Sequence, residues 1–324
     1  MKATLGSSSP LLRSIVFDSF NPSLMGDALQ GGQLAHVQLG PGRFRGTLWQ
    51  STLEEARIDW GRYNLPLVAV GELPRDVVTI GLLLHAGPES GSSEGRRLSG
   101  DDLLVIPEGH GLHIRLSPGT EWISLQVRRT ALEAMGIELP STVSTIHRIE
   151  PIDRAAVHSA AADLACIFGP GGAGDSGSAS ARALAACHSE LVDVFARVIG
   201  TGQPSKVRGE AERRRILNRV DEYLESDNLA PLRMDAVCLA AGTTLHTLER
   251  TFRDALGVSP KRYFSLRRLA EARTALLEAA ARRDSGASVT DIATGCGFVH
   301  LGRFSVDYKA AYGESPSDTL KGRA

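Results

Sequence analysis

Two runs of this sequence carry side chains whose types and spacing suit contact with the edges of nucleic-acid bases. The first, AGTTLHTLERTFRDAL, offers Thr244, His246, Thr247, Glu249, Arg250 and Arg253; the second, HLGRFSVDYKAAY, offers Leu301, Gly302, Arg303, Ser305, Val306 and Lys309. On a helix, short hydrogen-bonding groups near the N-terminal end with arginine beyond them match base edges and flanking phosphates in a major groove. Glu249 fits the same surface, because a carboxylate accepts from cytosine N4 or orients Arg250. An apolar Leu301 or Val306 on an outward face is odd for stability and suits a thymine methyl. Gly302 lowers helix propensity by about 1 kcal/mol relative to Ala, a cost consistent with close backbone approach to DNA. A plain helical hairpin is the competing reading of either run alone, and the tandem arrangement argues against it.

Each run needs a helix that turns these residues outward. In the first, Leu245, Leu248, Phe252 and Leu256 recur three or four apart and should pack inward. Residues 232–240 precede them as a leading helix, Gly242 supplies the turn, and Thr243 or Thr244 can cap the next helix. The second unit repeats the scheme with residues 289–294, a Gly295-Cys296-Gly297 turn, Phe298 as a core plug, and Phe304 and Tyr308 facing inward. Between the units, SPKRYFSLRRLAEARTALLEAA reads as one helix from Ser259 to about Ala281, with Ser259 as cap and Pro260 at the first helical position. Some twenty residues at ~1.5 Å each reach about 30 Å, close to the ~34 Å between successive major-groove faces of B-DNA. Tyr263, Leu266, Leu269, Ala270, Ala272 and Leu276 form its inward face. Lys261, Arg262, Arg267, Arg268 and Arg273 are expected to face solvent or phosphate.

Composition supplies only outer bounds. The chain has 324 residues, 42% hydrophobic and 23% charged, with a formal net charge of −1, as expected for a soluble globular protein of two domains. From residue 209 onward there are 18 Lys+Arg against 16 Asp+Glu, too small an excess to indicate nucleic acid by itself. No signal peptide and no run of about 18 apolar residues is evident, so a cytoplasmic protein without membrane contact is expected. Cys166, Cys187, Cys238 and Cys296 lack any C-x-x-C pairing, against both zinc and a disulfide framework.

The first 150 residues read as β. Segments 34–39, 46–52, 65–70, 77–84, 102–106, 112–116 and 123–127 are short, apolar or β-branched, and separated by turn residues, as in a sandwich or small barrel. GPESGSSEGRR, residues 87–97, reads as a hairpin connection. His110 and His113 would lie on opposite faces of a strand, and His36 and His85 are isolated, so no metal set is expected. A small β domain is a common container for a small molecule. Trp49, Trp60 and Trp122 are placed either to line such a pocket or to serve as core, and Arg128 at a strand end could pair with an anionic ligand. Residues 152–168 and 181–199 follow as two Ala-rich helices joined by GPGGAGDSGSAS. The apolar stripe Leu184, Cys187, Leu191, Val194, Phe195 and Val198 is expected to pack on the β domain or against its copy in a second subunit.

The run AGTTLHTLERTFRDALGVSPKRYFSLRRLAEARTALL, followed by VTDIATGCGFVHLGRFSVDYKAAYGESPSDTL, resembles the DNA-binding domain of the AraC/XylS family of bacterial transcription regulators over about Gly209 to Arg323. GFVHLGRFSVDYKAAYGESPS is the most specific part. The Gly257 to Pro260 motif matches the start of the family's linker helix, and HLGxFxxDY is similar to the subset containing the ethanolamine-operon activator. Val306 stands where many members place a basic or polar residue. The resemblance implies that the second helix of each unit enters the major groove, and that a cupin-like effector domain lies N-terminal. The expected fold is therefore α+β: an N-terminal cupin-like β-barrel over residues 1–150, a helical arm over 151–200 with possible dimerisation, a linker at 201–209, and an all-α domain over 210–324 of two helix-turn-helix units joined by a long helix. The expected function is an effector-responsive, homodimeric activator of a metabolic operon that binds double-stranded promoter DNA and RNA polymerase, without cofactor or enzymatic activity. A cupin-type metalloenzyme tethered to DNA, and an architectural DNA binder without effector, are the competing readings.

Overall fold

The computed structural model describes residues 11–53, 56–85, 91–168, 178–205, 210–226, 233–284 and 286–322. Its N-terminal part contains strands β1 (Leu11–Phe17), β2 (Gln33–Gln38), β3 (Gly46–Leu53), β4 (Ala56–Tyr63), β5 (Leu67–Glu72), β6 (Val78–His85), β7 (Gly91–Ser93), β8 (Arg96–Arg97), β9 (Asp102–Ile106), β10 (Gly111–Leu116), β11 (Glu121–Val127) and β12 (Thr145–Arg148). Short helices α1 (Pro22–Met25) and α2 (Arg129–Ala134) interrupt them. The strands make two sheets, in the orders β1-β3-β4-β11-β6-β9-β12 and β2-β5-β10-β7-β8. These sheets share no strand, so the domain is a sandwich of two sheets and not the closed barrel expected from sequence.

The expected strands are present, and β1, β4, β7, β8 and β12 are additional. Strand β4, ARIDWGRY, escapes pattern reading because Asp59 and Gly61 look like turn residues. Asp59 is nevertheless fully buried, accepting from Gln30 N at 3.1 Å and Gln50 Nε2 at 2.8 Å. Of the expected loops, residues 86–90, 169–177 and 206–209 lie outside the described residues, and residues 91–97 form the β7–β8 hairpin.

The outer face of the seven-stranded sheet is covered by α3 (Pro151–Phe168) and α4 (Ser178–Thr201). Ile58, Trp60, Val78, Ile80, Leu103 and Leu125 from the sheet pack with Leu184, Cys187, Leu191, Val194, Phe195 and Val198 from α4 in one apolar cluster. The arm's stripe therefore has its surface within the chain. Ser51 Oγ and His188 Nε2 join sheet and arm at 2.8 Å.

The C-terminal part contains α5 (Glu210–Ser226), α6 (Met234–Ala241), α7 (Leu245–Leu256), α8 (Pro260–Arg282), α9 (Val289–Gly295), α10 (Leu301–Tyr312) and α11 (Pro316–Leu320). It docks on the outer face of the five-stranded sheet. Alternation along β5 and β10 sends Leu67, Ala69, Leu112, Ile114 and Leu116 inward and Val68, Val70, His113 and Arg115 outward. Val37, Val68 and Val70 share a continuous core with Ile216, Val220, Phe252, Leu256 and Phe264. Across this contact His113 Nε2 meets Asp221 Oδ2 at 2.9 Å, and Arg213 Nε donates to the Glu94 carbonyl at 2.7 Å.

Arg273, expected on the solvent face of α8, is completely buried. Its Nη1 donates to Glu314 Oε1 at 2.6 Å and to Tyr308 Oη at 3.0 Å, its Nε donates to the Phe20 carbonyl, and its guanidinium carbon lies 4.6 Å from the Tyr312 ring centroid. Helical spacing placed it outward, and an acid and a carbonyl 41 and 253 residues away draw it in. Arg267, expected outward too, is largely buried between Asp221 at 2.9 Å and Glu271 at 3.5 Å.

Two outcomes follow. Arg273→Met leaves Glu314 without its cation and should lower unfolding free energy by ~3–5 kcal/mol in urea titrations, with partial recovery on adding Glu314→Gln. Burial holds the imidazoles of His36 and His188 down to about 4, from 6.5. A histidine pKa lowered by folding gives stability, up to roughly 3 kcal/mol each, that is present above pH 6.5 and lost as pH falls toward 4. Burial raises Asp59 from 3.8 to about 7, which has the opposite slope: stability declines as pH rises across that interval. His188→Gln should flatten the acid limb of a stability–pH curve between pH 6.5 and 4, and Asp59→Asn should steepen it.

Candidate nucleic-acid interface

The turn before α7 is made by Gly242, whose φ of 62° places it in the left-handed region. Thr244 then caps α7, its side chain accepting from Thr247 N at 3.3 Å. Leu248, Thr251, Phe252, Ala255 and Leu256 are buried, which leaves Thr244, His246, Arg250 and Arg253 exposed and Thr247 and Glu249 half-buried. Glu249 and Arg253 approach to 3.9 Å, one helical turn apart. Leu245, expected to pack inward, is 48% exposed, because it occupies the first position of α7, beside its cap.

In the second unit Ser288 caps α9 and Gly297, at φ 78°, makes the turn. Phe298 stacks near Phe304 with ring centroids 4.7 Å apart, and Phe304, Tyr308, Ala311 and Tyr312 hold the buried face of α10. Gly302, Arg303, Ser305, Val306 and Lys309 are exposed, with Val306 at 67%. Leu301, expected outward, is half-buried and packs on the core. Ser305 Oγ already donates to the Leu301 carbonyl at 3.1 Å, and Arg303 Nε is 3.3 Å from Asp307. A Cβ built on Gly302 would meet no atom within 4 Å, so nothing inside the chain requires glycine there.

Between the units α8 runs 23 residues from Pro260 to Arg282, capped by Ser259, about 34 Å at ~1.5 Å per residue. Lys261 and Arg262 are its exposed cations near the first unit. The last turns of both α7 and α10 meet the β sandwich. Ser92 Oγ donates to the Ala255 carbonyl at 2.8 Å; Gln38 Nε2 donates to the Ala311 carbonyl at 2.7 Å, and Gly42 N reaches Ala310 and Ala311 at 3.1 Å. The carbonyls a helix leaves unpaired at its C-terminus are thus satisfied by the other domain. No sequence pattern marked Gln38 or Ser92 for this role. Both contacts lie in the last turn of each helix, which they share with Arg253 and Lys309, while the other expected contact residues lie nearer the N-terminal end.

The interior of the sandwich holds a cavity of about 80 Å³ lined by residues of both sheets, among them Leu34, Leu67, Leu112, Leu116, Leu83 and Trp122. Of the side chains expected at a small-molecule site, Trp122 lines it. Trp49 and Trp60 do not: they stack at 4.3 Å on the opposite face of their sheet, among the residues under the helical arm, where Trp60 Nε1 donates to Glu121 at 2.7 Å. Strand parity decides this, since residues 49 and 60 are register partners and point the same way. Arg128 is exposed at the start of α2, away from the cavity lining. Among the described residues no three His, Cys, Asp or Glu side chains are grouped to hold a metal, and no helix is long and apolar enough to cross a membrane.

Residues 237–322 match the model of a helix-turn-helix domain family. The chain is 36% identical over 100 residues to the probable thc operon regulatory protein of Rhodococcus erythropolis, covering 31% of this chain and 29% of that protein. It is 34% identical over 103 residues to the XylDLEGF operon transcriptional activator of Pseudomonas putida, with 32% and 31% covered. It is 37% identical over 107 residues to the HTH-type transcriptional activator RhaS of Escherichia coli O139:H28, with 33% and 36% covered. The match therefore spans about a third of each relative's length. Together with the paired helices at either end of α8, it makes residues 237–322 a helix-turn-helix domain similar over that stretch to these transcription regulators.

Proposed function

We propose that this chain is a sequence-specific transcription regulator that binds double-stranded promoter DNA through α7 and α10 and responds to a small molecule held in its β sandwich. The carrying observation is that two helices, each following a glycine turn and presenting an exposed face that carries arginine, stand at the ends of one 23-residue helix. That separation matches neighbouring major grooves on one side of a duplex. In this reading Thr244, His246, Thr247, Glu249 and Arg250 contact one half-site, with Arg253 toward phosphate. Gly302, Arg303, Ser305 and Val306 contact the next, with Lys309 toward phosphate. Leu301 contributes packing more than contact.

The same reading makes the protein an activator of a metabolic operon, acting in the cytoplasm as a homodimer with RNA polymerase as partner. The dimer contact is not placed on the α4 stripe, which already packs on the chain's own sheet. Effector response follows from the five-stranded sheet. Its inner face lines the cavity, and its outer face carries the C-terminal domain, with Ser92 and Gln38 anchoring the two groove-reading helices at strands three places apart in the sheet. At ~4.8 Å per strand the anchors are about 14 Å apart, so a change in sheet twist alters the angle between the helices. A ligand acts on DNA affinity only through its differential affinity for such arrangements.

Arg303→Ala and Arg250→Ala should each weaken binding to the selected operator by ~1–3 kcal/mol, or roughly 5- to 150-fold, in gel-shift titrations of folded protein, while leaving random-duplex affinity far less changed. Equal loss on both DNAs reduces these arginines to phosphate contacts, and no loss removes them from the interface. The Gln38→Leu, Ser92→Ala double variant should keep operator binding yet lose its modulation by effector.

A further inference from the structure

The polar atoms inside the sandwich bear on what the cavity accepts. Among the described residues, five lining side chains, each at least nine-tenths buried, carry a polar atom without a well-formed hydrogen bond: Thr79 Oγ1 and Ser124 Oγ have no partner, Tyr63 Oη and Trp122 Nε1 interact only weakly with each other, and His36 Nδ1 is left at most a weak contact with the Leu34 backbone. Buried polar atoms are overwhelmingly paired in native proteins, and each unpaired one costs ~1–3 kcal/mol, so two unpaired hydroxyls beside three poorly satisfied groups at one cavity is a concentration that calls for an occupant. His36 comes from β2 of the five-stranded sheet and the other four from β4, β6 and β11 of the seven-stranded sheet. An occupant bonded to both sets ties the two sheets together.

The rest of the lining is apolar, and it brings no uncommitted charge. Its one carboxylate among the described residues, Asp102, accepts from Ser99 N at 2.8 Å and Ser99 Oγ at 2.7 Å and faces Arg148 at 3.3 Å and Arg96 at 3.9 Å. Among the described residues no Lys or Arg lines the space. An anionic ligand there would lack a cation, and a cationic one would have to displace arginines from Asp102. Transfer of an unpaired ion into such surroundings is far more costly than transfer of a hydrogen-bonded neutral group.

We infer that the cavity binds a neutral, predominantly apolar small molecule that carries a hydrogen-bonding oxygen, which accepts from Trp122 and meets Thr79 and Ser124 on one sheet and His36 on the other. The inference rests on the effector reading above and supplies its ligand class. The burial that keeps His36 uncharged near neutral pH agrees with it. Packing supports a preserved indole position: a Cβ at Gly61 would stand 2.7 Å from Trp122 ring atoms, so only glycine on β4 allows the indole to lie where it does. At about 80 Å³ the space is roughly half of the ~150 Å³ cavity that accepts a benzene ring in an engineered protein. A ring-sized ligand must therefore part the sheets, and doing so moves the sheet on which the C-terminal domain sits.

Three probes sharing one hydrocarbon frame test this on the full chain: cyclohexanol, cyclohexanecarboxylate and cyclohexylamine, titrated by calorimetry and by Trp fluorescence. The expected result is saturable binding of cyclohexanol at least tenfold tighter than of either charged probe. Thr79→Val and Ser124→Ala, which remove a hydroxyl with little change of volume, should each weaken cyclohexanol binding several-fold while the thermal midpoint without probe is held or raised. Equal or tighter binding of a charged probe overturns the inference. So does failure of all three to saturate, which assigns the cavity to two or three ordered waters. Operator binding, measured separately by gel shift, keeps the two readings apart: intact DNA binding with no probe binding removes the ligand class and leaves the DNA-binding reading, and probe binding without operator preference does the reverse.

Discussion

The buried guanidinium of Arg273 is the interaction on which the rest of the arrangement turns. A full positive charge with no exposed surface is tolerable only where partners surround it, and these come from four places: Glu314 before α11, Tyr308 on α10, Thr319 on α11, and the Phe20 carbonyl of the β domain. Tyr312 packs beneath it at 4.6 Å and stacks in parallel on Phe20 with centroids 5.8 Å apart. Burial pushes the Tyr308 and Tyr312 hydroxyls above their ordinary range, while the Arg273 cation draws both back down. Removing any one partner leaves the charge under-compensated in a dry environment. The long helix, the second helix-turn-helix unit and the β domain are therefore held in one geometry by a group with no low-energy alternative.

That clamp explains how a domain made of two small units behaves as one body. Neither unit buries much on its own: α9 spans seven residues and α10 twelve. Their stability is borrowed from α8 and, beyond it, from the outer face of the five-stranded sheet, whose Val37, Val68 and Val70 continue the helical core. The same sheet thus has two buried faces with different tasks. Along β10, Leu112, Ile114 and Leu116 face the cavity, while His113 and Arg115, one residue away in each case, face α5 and the Gly257 turn after α7. The distance between a side chain that touches the cavity and one that touches the C-terminal domain is the thickness of one strand.

What could be read from the sequence is what local physics decides. Thr244, Ser259 and Pro260 announce helix starts whatever surrounds them, and the three-and-four spacing of Leu248, Phe252 and Leu256 needs only a core on one side. The exposed faces of α7 and α10 follow from that spacing by subtraction, Leu245 and Leu301 excepted, because at the first position of each helix the periodicity has not yet fixed which way a side chain points. What could not be read is decided at long range. Strand β5 buries Leu67, Val68, Ala69 and Val70 in succession because both its faces are covered, so alternation no longer reports inside and outside. Trp49 and Trp122 belong to one sheet and opposite faces, a matter of register and not of residue type. Arg273 looks like any helical arginine until residue 314 and the Phe20 carbonyl are in place.

The two sets of long-range features are not independent. The side chains that pattern reading misjudged, Arg273 and Arg267 above all, lie where the C-terminal domain meets another element, and the cavity with its poorly paired polar atoms lies between the sheet that carries that domain and the sheet facing it. A domain built for stability alone would fill its interior with side chains of matched volume and place no hydroxyl, indole nitrogen or imidazole nitrogen there without a partner. Keeping poorly paired atoms around one small space, His36 on the reverse side of the sheet that carries α7 and α10 and the others on the sheet facing it, costs stability. The cost is intelligible if the interior is completed from outside the chain, and if completing it shifts the platform that sets the angle between α7 and α10.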